Sequence, residues 1–427
     1  MDRRESELEG YNAKQGAQES QGAAATNREA WTSAFVKYGW HQMIDRLNRV
    51  VVGKPEPVRL ACLTMLAGGH LLLEDVPGVG KTLMARTLAR LVDASFRRVQ
   101  MTPDTMPADI TGSMIFDPAS GQLRYGEGPL QAHVVLADEL NRAPARTQSA
   151  LLEAMEERAV TVNGVTRPLP QPFMLIATQN PLAFEGTYRL PEAELDRFMM
   201  RLTLGYPAVQ DEADMLLREH AKSDAGSGAA RVQPVLTTSE WALLIRRTRA
   251  VHIDAVLCRY IADMTQASRQ HREVMLGVSP RGAVAWMQAA QAQALFSGRM
   301  YVTPDDIFAI AEPVLAHRLV MQPGSRIDAA AVIRSLFQTV QVPSFNKQSK
   351  RQAADANRSN TNTTQAVNER AVIHPADTPV SAGRQTSVVA DKTWNDSEMQ
   401  AAPQQTYSRR ADKRSSDGHG WFKGLFR

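Results

Sequence analysis

The sequence predicts an α/β fold, with a parallel sheet flanked by helices, followed by a small all-α domain. In residues 31–206, short apolar runs bounded by polar or turn residues alternate with helical patterns, as in a doubly wound α/β layer. In residues 207–342, apolar residues repeat at helical spacing. Residues 1–30 and 343–427 contain too few large apolar residues to build a core, which predicts disordered tails.

Three short runs are expected to form the central strands of the sheet. Leu71–Leu73, Val134–Ala137 and Phe173–Ala177 are wholly apolar. Strands of this composition are typical of parallel sheets, because helices cover both of their faces. Helical patterns at 82–92 and 147–158 lie between these runs.

Two hairpins are also expected within this layer. Gly112–Gly128 reads as a strand, a turn at Pro118–Gly121 and a second strand. Val160–Arg167 predicts a sharper hairpin, because Asn163 and Gly164 suit a two-residue turn between alternating residues.

The all-α domain is expected to begin after Pro207, with a flexible loop at Ser223–Ala230 and an end near Val342. Thr303 and Pro304 mark a helix start, as N-cap and first helical residue. The predicted helices are Ser239–Arg249, Asp254–Arg272, Arg281–Phe296, Pro304–His317 and Ala329–Val340.

Charge and cysteine content exclude several classes of protein. Residues 344–427 carry 13 basic and 8 acidic residues, a net charge of +5, whereas the whole chain has a net charge of +4. The body is therefore nearly neutral, which argues against nucleic-acid binding. Two cysteines, Cys62 and Cys258, exclude a disulfide framework and a cysteine-rich metal site. No apolar run could span a membrane and the N-terminus lacks a signal-peptide core, so a cytoplasmic location is expected.

The last seven residues, Trp421–Arg427, contrast with the rest of the tail. They combine four large apolar side chains with two cations. The segment is either a short docking motif for a partner groove or membrane surface, or a frayed terminus. Any membrane contact is expected only through this motif.

A phosphate-binding loop is predicted at the end of the first strand. Gly78-Val79-Gly80-Lys81-Thr82 follows an apolar strand and opens a helix, as a P-loop requires. Glycines let backbone N–H groups curl around phosphates, Lys81 would reach the β- and γ-phosphates, and Thr82 would ligate Mg²⁺. Asp75 stands where the P-loop pattern has its first glycine. The predicted ATP contacts are Pro77, Gly78, Val79, Gly80, Lys81, Thr82 and Leu83.

An acidic pair, Asp138 and Glu139, follows the second apolar run. An aspartate at the end of a buried strand can hold Mg²⁺ through its water shell. The adjacent glutamate can polarise an attacking water, which a kinase does not need. The pair therefore favours ATP hydrolysis over phosphate transfer to a substrate hydroxyl.

A polar strand tip follows the third apolar run at Gln179-Asn180-Pro181. Asn180 is the preferred candidate for orienting the lytic water or touching the γ-phosphate, with Gln179 second. A plain Asn-Pro turn is the structural alternative.

Two arginines are candidates for sensing nucleotide. Arg197 is placed to reach a neighbouring subunit's nucleotide, with Arg189 and Arg201 as rivals. Arg281 begins a helix of the all-α domain, from which it could reach the γ-phosphate and report nucleotide state. Surface arginines in salt bridges are the structural alternative.

This set of motifs resembles an AAA+ P-loop NTPase with a helical lid. The amino-acid sequence over about residues 31–342 resembles the MoxR family of AAA+ ATPases. The matching stretches are VVGKPEPVRLACLTMLAGGHLLLEDVPGVGKT (51–82), ADELNRAPARTQSALLEAMEERAVTVNG (137–164), FMLIATQNPLAFEGTYRLPEAELDRF (173–198) and GVSPRGAVAW (277–286).

The resemblance implies roles for individual residues. Lys81 and Thr82 correspond to Walker A, and Asp138 and Glu139 to Walker B. Asn180 resembles sensor 1. The remaining implied assignments are Arg197 as arginine finger, Arg281 as sensor 2, Val52 and Gly53 at the border of the adenine pocket, and Gly112–Gly128 as the hairpin inserted in helix 2.

The resemblance also implies an activity: a Mg²⁺-dependent ATPase that forms hexameric rings and remodels protein clients, in metalloenzyme maturation or complex assembly. A partner with a von Willebrand factor A domain is a further expectation. Two alternatives remain open at this stage. One is an AAA+ nucleic-acid motor or transcription regulator, which the basic tail keeps open. The other is a scaffold that holds ATP as a structural ligand. The client, the pathway and the ring stoichiometry are not given by the sequence.

Overall fold

The computed structural model describes residues 39–181, 188–220 and 232–343. The loop predicted at Ser223–Ala230 lies outside these ranges, as does the terminal motif Trp421–Arg427. The predicted tails 1–30 and 343–427 also lie outside them, apart from residue 343. The division at 206/207 between core and lid remains a prediction.

Helices and strands alternate in the first half of the described chain, and helices dominate the second. The helices are α1 at 39–50, α2 (Pro55–Ala67), α3 (Lys81–Leu91), α4 (Pro107–Thr111), α5 (Ala145–Glu157), α6 (Glu192–Leu195), α7 (Val209–His220), α8 (Thr238–Arg249), α9 (Ala255–Gln270), α10 (Pro280–Phe296), α11 (Pro304–Ala309), α12 (Ala311–Leu315) and α13 (Ala329–Thr339). The strands are β1 (Leu71–Glu74), β2 (Phe96–Gln100), β3 (Gly112–Asp117), β4 (Gln122–Glu127), β5 (Val134–Asp138), β6 (Ala159–Val162), β7 (Val165–Pro168), β8 (Met174–Gln179), β9 (Met200–Leu202), β10 (Val274–Leu276) and β11 (Val320–Met321).

The main sheet has five parallel strands in the order β2-β5-β8-β1-β9. The three predicted apolar strands are its centre, because only strands covered on both faces can be apolar throughout. The edge strands β2 and β9 escaped sequence analysis. β2 reads Phe-Arg-Arg-Val-Gln and is half-exposed, and β9 has only three residues.

The sheet separates two apolar cores. Successive residues of each central strand point alternately into one core and the other. In β1, Leu71 and Leu73 pack into one core and Leu72 into the other. β5 and β8 follow the same alternation, with Leu136 and Ile176 joining the core of Leu71. This period of two fixes the register, because a slip by one residue would exchange the two faces. The α/β class and the helical lid predicted from sequence are confirmed.

Both predicted hairpins are present as β3–β4 and β6–β7. Asn163 and Gly164 join β6 to β7 with positive φ angles of 52° and 74°, as a two-residue turn of this type requires. The guanidinium of Arg167 on β7 lies 4.2 Å from the ring centroid of Tyr125 on β4. This cation–π contact joins the two hairpins.

The helical region contains one helix that was not predicted, α7, and differs from prediction at another. Pro304–His317 is not continuous: α11 ends at Ala309, and α12 and a short 3₁₀ segment at Ala316–Arg318 follow. Ile310, with φ −114° and ψ 5°, breaks the helix. Three residues later Pro313 has no N–H with which to continue helical hydrogen bonding. The small antiparallel pair β10–β11 was also not predicted.

Helix α2, which precedes the P-loop, packs against helices of the lid region. It contacts α8 and α10. The buried indole N–H of Trp241 on α8 donates to the Met65 carbonyl at 3.0 Å. Arg59 on α2 donates to the side chain of Gln293 on α10 at 2.6 Å. No helix in the described ranges is long and apolar enough to cross a membrane.

A buried ion pair fastens the end of the sheet layer to the helical region. Arg318 Nε donates to Asp196 Oδ1 at 2.8 Å, and the two side chains are only 2% and 16% exposed. Ser279 Oγ donates to the other oxygen of Asp196 at 2.7 Å. Burial lowers the pKa of Arg318, and the Asp196 carboxylate opposes that shift. The buried guanidinium therefore depends on this carboxylate for its charge balance.

We expect Asp196→Ala to lower the free energy of unfolding by about 3 kcal/mol, because it leaves the buried Arg318 without its counter-ion. Urea unfolding followed by tryptophan fluorescence measures the change. Glu192→Ala is the matched control, since Glu192 pairs with Arg189 at 3.6 Å on the surface. That exposed pair should contribute about 1 kcal/mol or less. Equal effects of the two substitutions would contradict this account.

Candidate active site

The predicted P-loop connects β1 to α3. Gly78 and Gly80 have φ angles of 88° and 94°, which L-residues with a Cβ rarely adopt. A Cβ built on either glycine would meet no described protein atom within 4 Å. The glycines are therefore required by backbone conformation, and they border open space. Lys81 and Thr82 begin α3, where the positive end of the helix dipole favours an anion.

Asp75 explains the departure from the usual P-loop pattern. Its side chain is buried, and Oδ2 accepts hydrogen bonds from the backbone N–H groups of Leu204 and Gly205, both at 2.6 Å. Oδ1 accepts from Val76 N–H at 2.9 Å. The carboxylate thus ties the first residue of the loop to the chain that leaves β9. A glycine at this position could not make these bonds.

The acidic pair lies at the carboxyl end of β5, beside the end of β8. Thr178 Oγ1 donates to Asp138 Oδ1 at 2.6 Å and accepts from the N–H of Glu139 at 2.8 Å. The Glu139 backbone is left-handed, with φ 57° and ψ 49°. Such strained conformations concentrate at functional sites. The Glu139 carboxylate lies 3.0 Å from the guanidinium of Arg142.

Arg98 was missed by sequence analysis. From β2 its Nη2 and Nε atoms donate to Asp138 Oδ2 at 2.6 and 3.0 Å, and Nη2 also donates to Gln100 Oε1 at 2.8 Å. Nothing in the sequence marks these residues. Only the pairing of β2 with β5 places them at the acidic pair.

Most of the predicted nucleotide residues line one cavity of about 400 Å³. Its wall also includes the missed residues Arg98 and Gln100. The lining residues are Pro77, Gly78, Gly80, Lys81, Thr82, Leu83, Arg98, Gln100, Asp138, Glu139 and Asn180.

Lys81 is the central cation of this cavity. Its Nζ donates to the Asp75 carbonyl at 2.7 Å. Burial lowers the pKa of Lys81, and the charges of Asp75, Asp138 and Glu139 oppose that shift. The opposing carboxylates favour the ammonium form, which an incoming phosphate needs.

Three predicted nucleotide contacts are not among the residues that line this cavity. Val79 is partly buried and packs against the core. Val52 and Gly53 lie between α1 and α2, outside the wall of the cavity. Gly53 has φ 73°, and a Cβ there would come within 2.3 Å of the Asp211 carboxylate. The positive φ angle therefore favours glycine at position 53.

The two candidates at the tip of β8 occupy different surroundings. Gln179 Nε2 donates to Glu74 Oε1 at 2.6 Å, and Glu74 also pairs with Arg201 at 3.0 Å. These three side chains line a second cavity of about 470 Å³, together with Arg189. Asn180 lines both cavities. Asn180 is thus the one of the two that borders the P-loop.

Arg197 and Arg281 lie together, apart from this chain's P-loop cavity. Both donate to the carboxylate of Glu156 on α5, Arg197 through Nη1 and Arg281 through Nη2. Arg197 Nη1 also donates to the Leu152 carbonyl at 3.1 Å. Neither arginine belongs to the described wall of the cavity. The expectation that Arg281 can reach a γ-phosphate and report nucleotide state remains a prediction.

We expect Asp75→Gly to destabilise the protein although it restores the usual P-loop pattern. The change leaves the N–H groups of Leu204 and Gly205 without their acceptor, at a cost of about 1–3 kcal/mol for each buried group left unpaired. Thermal unfolding checks this. Asp75→Asn retains one acceptor oxygen and should lose less. An unchanged melting temperature in Asp75→Gly would refute the role assigned to the carboxylate.

Comparison with known proteins places this geometry in a family. The profile described as "ATPase family associated with various cellular activities (AAA)" matches residues 70–200, and one described as "AAA lid domain" matches residues 266–336. A crystal structure of a candidate ATPase from Cytophaga hutchinsonii superposes with a TM-score of 0.70 at 34% identity. The match covers 75% of this chain and 99% of that one.

Relatives with sequence similarity carry informative names. Chaperone MoxR1 of Mycobacterium tuberculosis is 38% identical over 315 residues, 71% of this chain and 82% of that protein. Protein MoxR of Paracoccus denitrificans is 30% identical over 321 residues, 70% of this chain and 94% of that protein. The uncharacterized protein YeaC of Bacillus subtilis is 46% identical over 303 residues, 70% of this chain and 93% of YeaC. The chain belongs to the MoxR family of AAA ATPases, and that membership implies that it binds and hydrolyses ATP.

Proposed function

We propose that this protein is a Mg²⁺-dependent, ring-forming ATPase that uses ATP hydrolysis to remodel protein clients. The observation that carries the proposal is the single cavity shared by Lys81, Thr82, Asp138, Glu139 and Asn180. Cation, hydroxyl, two carboxylates and amide are the groups that P-loop hydrolysis requires. They come from the carboxyl ends of β5 and β8 and from the start of α3, which follows β1 through the P-loop, so the sheet itself holds them together.

The residues of the cavity fit a magnesium–nucleotide complex. The open space beside Gly78 and Gly80 leaves room for phosphates, and the ammonium of Lys81 supplies a positive charge. The Thr82 hydroxyl and the Asp138 carboxylate are oxygen donors of the kind that Mg²⁺ prefers. When bound, Mg²⁺ neutralises charge on the β- and γ-phosphate oxygens. Asp138 Oδ2 accepts from Arg98, whose side chain is 45% exposed.

Glu139 is the proposed general base. Its N–H bond to Thr178 and its left-handed backbone fix the side chain just beyond the end of β5. The carboxylate pairs with Arg142 at 3.0 Å and lies in the wall of the cavity, where it would accept a proton from the attacking water. Asn180, from the adjacent strand, lines the same cavity and would orient the water.

Assembly into a ring is supported by the position of the two arginines. Arg197 and Arg281 are partly exposed and gathered at α5, so they are available to a neighbouring copy rather than to their own P-loop. The two guanidinium groups share the Glu156 carboxylate and retain N–H groups that can donate to a neighbour's phosphate. We propose a hexamer on the family resemblance. A protein client is proposed because the mycobacterial relative is named a chaperone.

Cytoplasmic location and a von Willebrand factor A domain partner also remain proposals, resting on the sequence and the family resemblance. Experiments on the Glu139→Gln variant distinguish client remodelling from the two alternatives, a nucleic-acid motor and an ATP-binding scaffold.

We expect Glu139→Gln to reduce ATP hydrolysis about a hundredfold or more while ATP binding persists, because the amide cannot accept the water's proton. Phosphate release and binding of a fluorescent ATP analogue measure the two properties. Lys81→Ala is the control that should lose binding itself. The Glu139→Gln protein with ATP should also retain a protein client in a pull-down, whereas ADP should not. Full biological function of Glu139→Gln would favour the scaffold, and ATP-dependent capture of DNA alone would favour the motor.

A mixing experiment tests whether Arg197 acts on a neighbour. Lys81→Ala and Arg197→Ala should each be nearly inactive alone. Mixed in equal amounts, they should recover roughly a quarter of the wild-type rate, because some intact P-loops then lie beside an intact arginine. Phosphate release at concentrations that favour assembly is the measurement. Mixing Arg189→Ala or Arg201→Ala with Lys81→Ala identifies the arginine if Arg197→Ala alone stays active.

A further inference from the structure

One carboxylate, Glu156, is the meeting point of an arginine from the sheet layer and an arginine from the helical region. Glu156 lies in the last turn of α5. Its Oε2 accepts from Arg197 Nη1, and its Oε1 accepts from Arg281 Nη2. Arg197 lies two residues after the end of the short helix α6, and Arg281 is the second residue of α10. Glu156 does not line the cavity, and the sequence analysis assigned it no role although it lies within the family-like stretch 137–164.

The arrangement leaves terminal N–H donors free on both guanidinium groups, while Arg197 Nε is buried. Each arginine has five N–H donors in a planar fork, and each contacts Glu156 through one terminal nitrogen. The side chains are 28% exposed for Arg197 and 46% for Arg281. Both arginines can therefore receive a phosphate while Glu156 still holds them. The carboxylate acts as a support that stays in place, and phosphate does not have to displace it.

Electrostatics gives the carboxylate a second effect. Two guanidinium groups this close would repel each other without an anion between them. The carbonyl of Leu152 adds a neutral acceptor for Arg197 only. Removing the charge of Glu156 would therefore leave Arg281 without an ionic partner among the described residues and would push the two cations apart.

The surrounding contacts fix the frame in which the three groups meet. Asp196, next to Arg197, binds both Ser279 and the buried Arg318 of the helical region. Ser279 lies two residues before Arg281 and caps α10 through the N–H of Gly282. The backbones that carry the two arginines are thus joined independently of Glu156. What Glu156 adds is the orientation of the two side chains.

We propose that Glu156 is a positioning residue that holds Arg197 and Arg281 side by side, so that a neighbouring copy's nucleotide meets both guanidinium groups as one unit. The inference rests on the proposed function, because it assumes that these arginines serve a neighbour. It assigns to Glu156 no contact with nucleotide.

The test compares Glu156→Gln with Glu157→Gln in the full chain. Glu157 is the next residue of α5, is exposed, and makes no ion pair with any described residue, so its substitution removes the same charge without the arginine contacts. Glu156→Gln should lower kcat at least tenfold and leave KM for ATP within twofold, because the ATP cavity is untouched. Glu157→Gln should keep both constants within twofold. Glu156→Asp, which retains the charge on a shorter side chain, should recover part of the lost kcat.

A double-variant measurement separates positioning from a general loss of structure. Arg281→Ala should reduce kcat strongly in the wild-type background and by less than threefold in the Glu156→Gln background, because the pair is already disrupted there. Melting temperatures and ATP-analogue binding of all variants verify folding. If Glu156→Gln proves unstable, Glu156→Asp replaces it in this test. The quantity compared is again the fold reduction in kcat that Arg281→Ala causes in the wild-type background and in the variant background.

The outcomes distinguish this inference from the function on which it rests. If Arg197→Ala and Arg281→Ala both lower kcat but Glu156→Gln does not, the positioning role is wrong and the proposed function stands. A rise in kcat for Glu156→Gln would also overturn the positioning role, since the carboxylate would then be restraining the arginines. If Arg197→Ala and Arg281→Ala leave kcat unchanged, the action of these arginines on a neighbour fails first.

Discussion

The parallel, in-register pairing of β1, β5 and β8 is the constraint on which the rest of this structure depends. Parallel strands end at the same edge of a sheet, so the P-loop, the acidic pair and Asn180 are brought to one place. The register is secured by alternate burial into two apolar cores. The packing of apolar strand residues several positions before the cavity therefore determines which polar groups meet in it.

Polar groups at that edge are then ordered by one another. The Thr178 hydroxyl donates to Asp138 and accepts from the N–H of Glu139, so a single side chain orients both members of the acidic pair. Asp75 orders the start of the P-loop by accepting hydrogen bonds from the N–H groups of Leu204 and Gly205, beyond β9. Arg98 balances the charge of Asp138. The cavity is held by directed bonds before any ligand arrives.

The helical region is attached through charge as well as through apolar contact. Asp196 and Arg318 form a buried pair whose partners belong to the two sides of the molecule. Arg197, the residue after Asp196, pairs with Glu156, as does Arg281. A change in how the helical region sits would therefore alter the arginines that we propose for a neighbour's nucleotide. Asp196, which attaches the helical region, and Arg197, which we propose acts on a neighbour's nucleotide, are adjacent in the chain.

The sequence by itself determined the three central strands, the P-loop, the acidic pair and the helical lid, because each is encoded locally by apolar runs, glycines or residue spacing. It could not determine the edge strands β2 and β9, whose composition and length resemble loops. Tertiary structure alone decided that Arg98 meets Asp138, that Asp75 replaces a glycine to bind Leu204 and Gly205, and that Arg197 and Arg281 share Glu156. These contacts join residues 40 to 130 positions apart, and such pairings depend on strand order and helix packing, which local residue patterns do not specify.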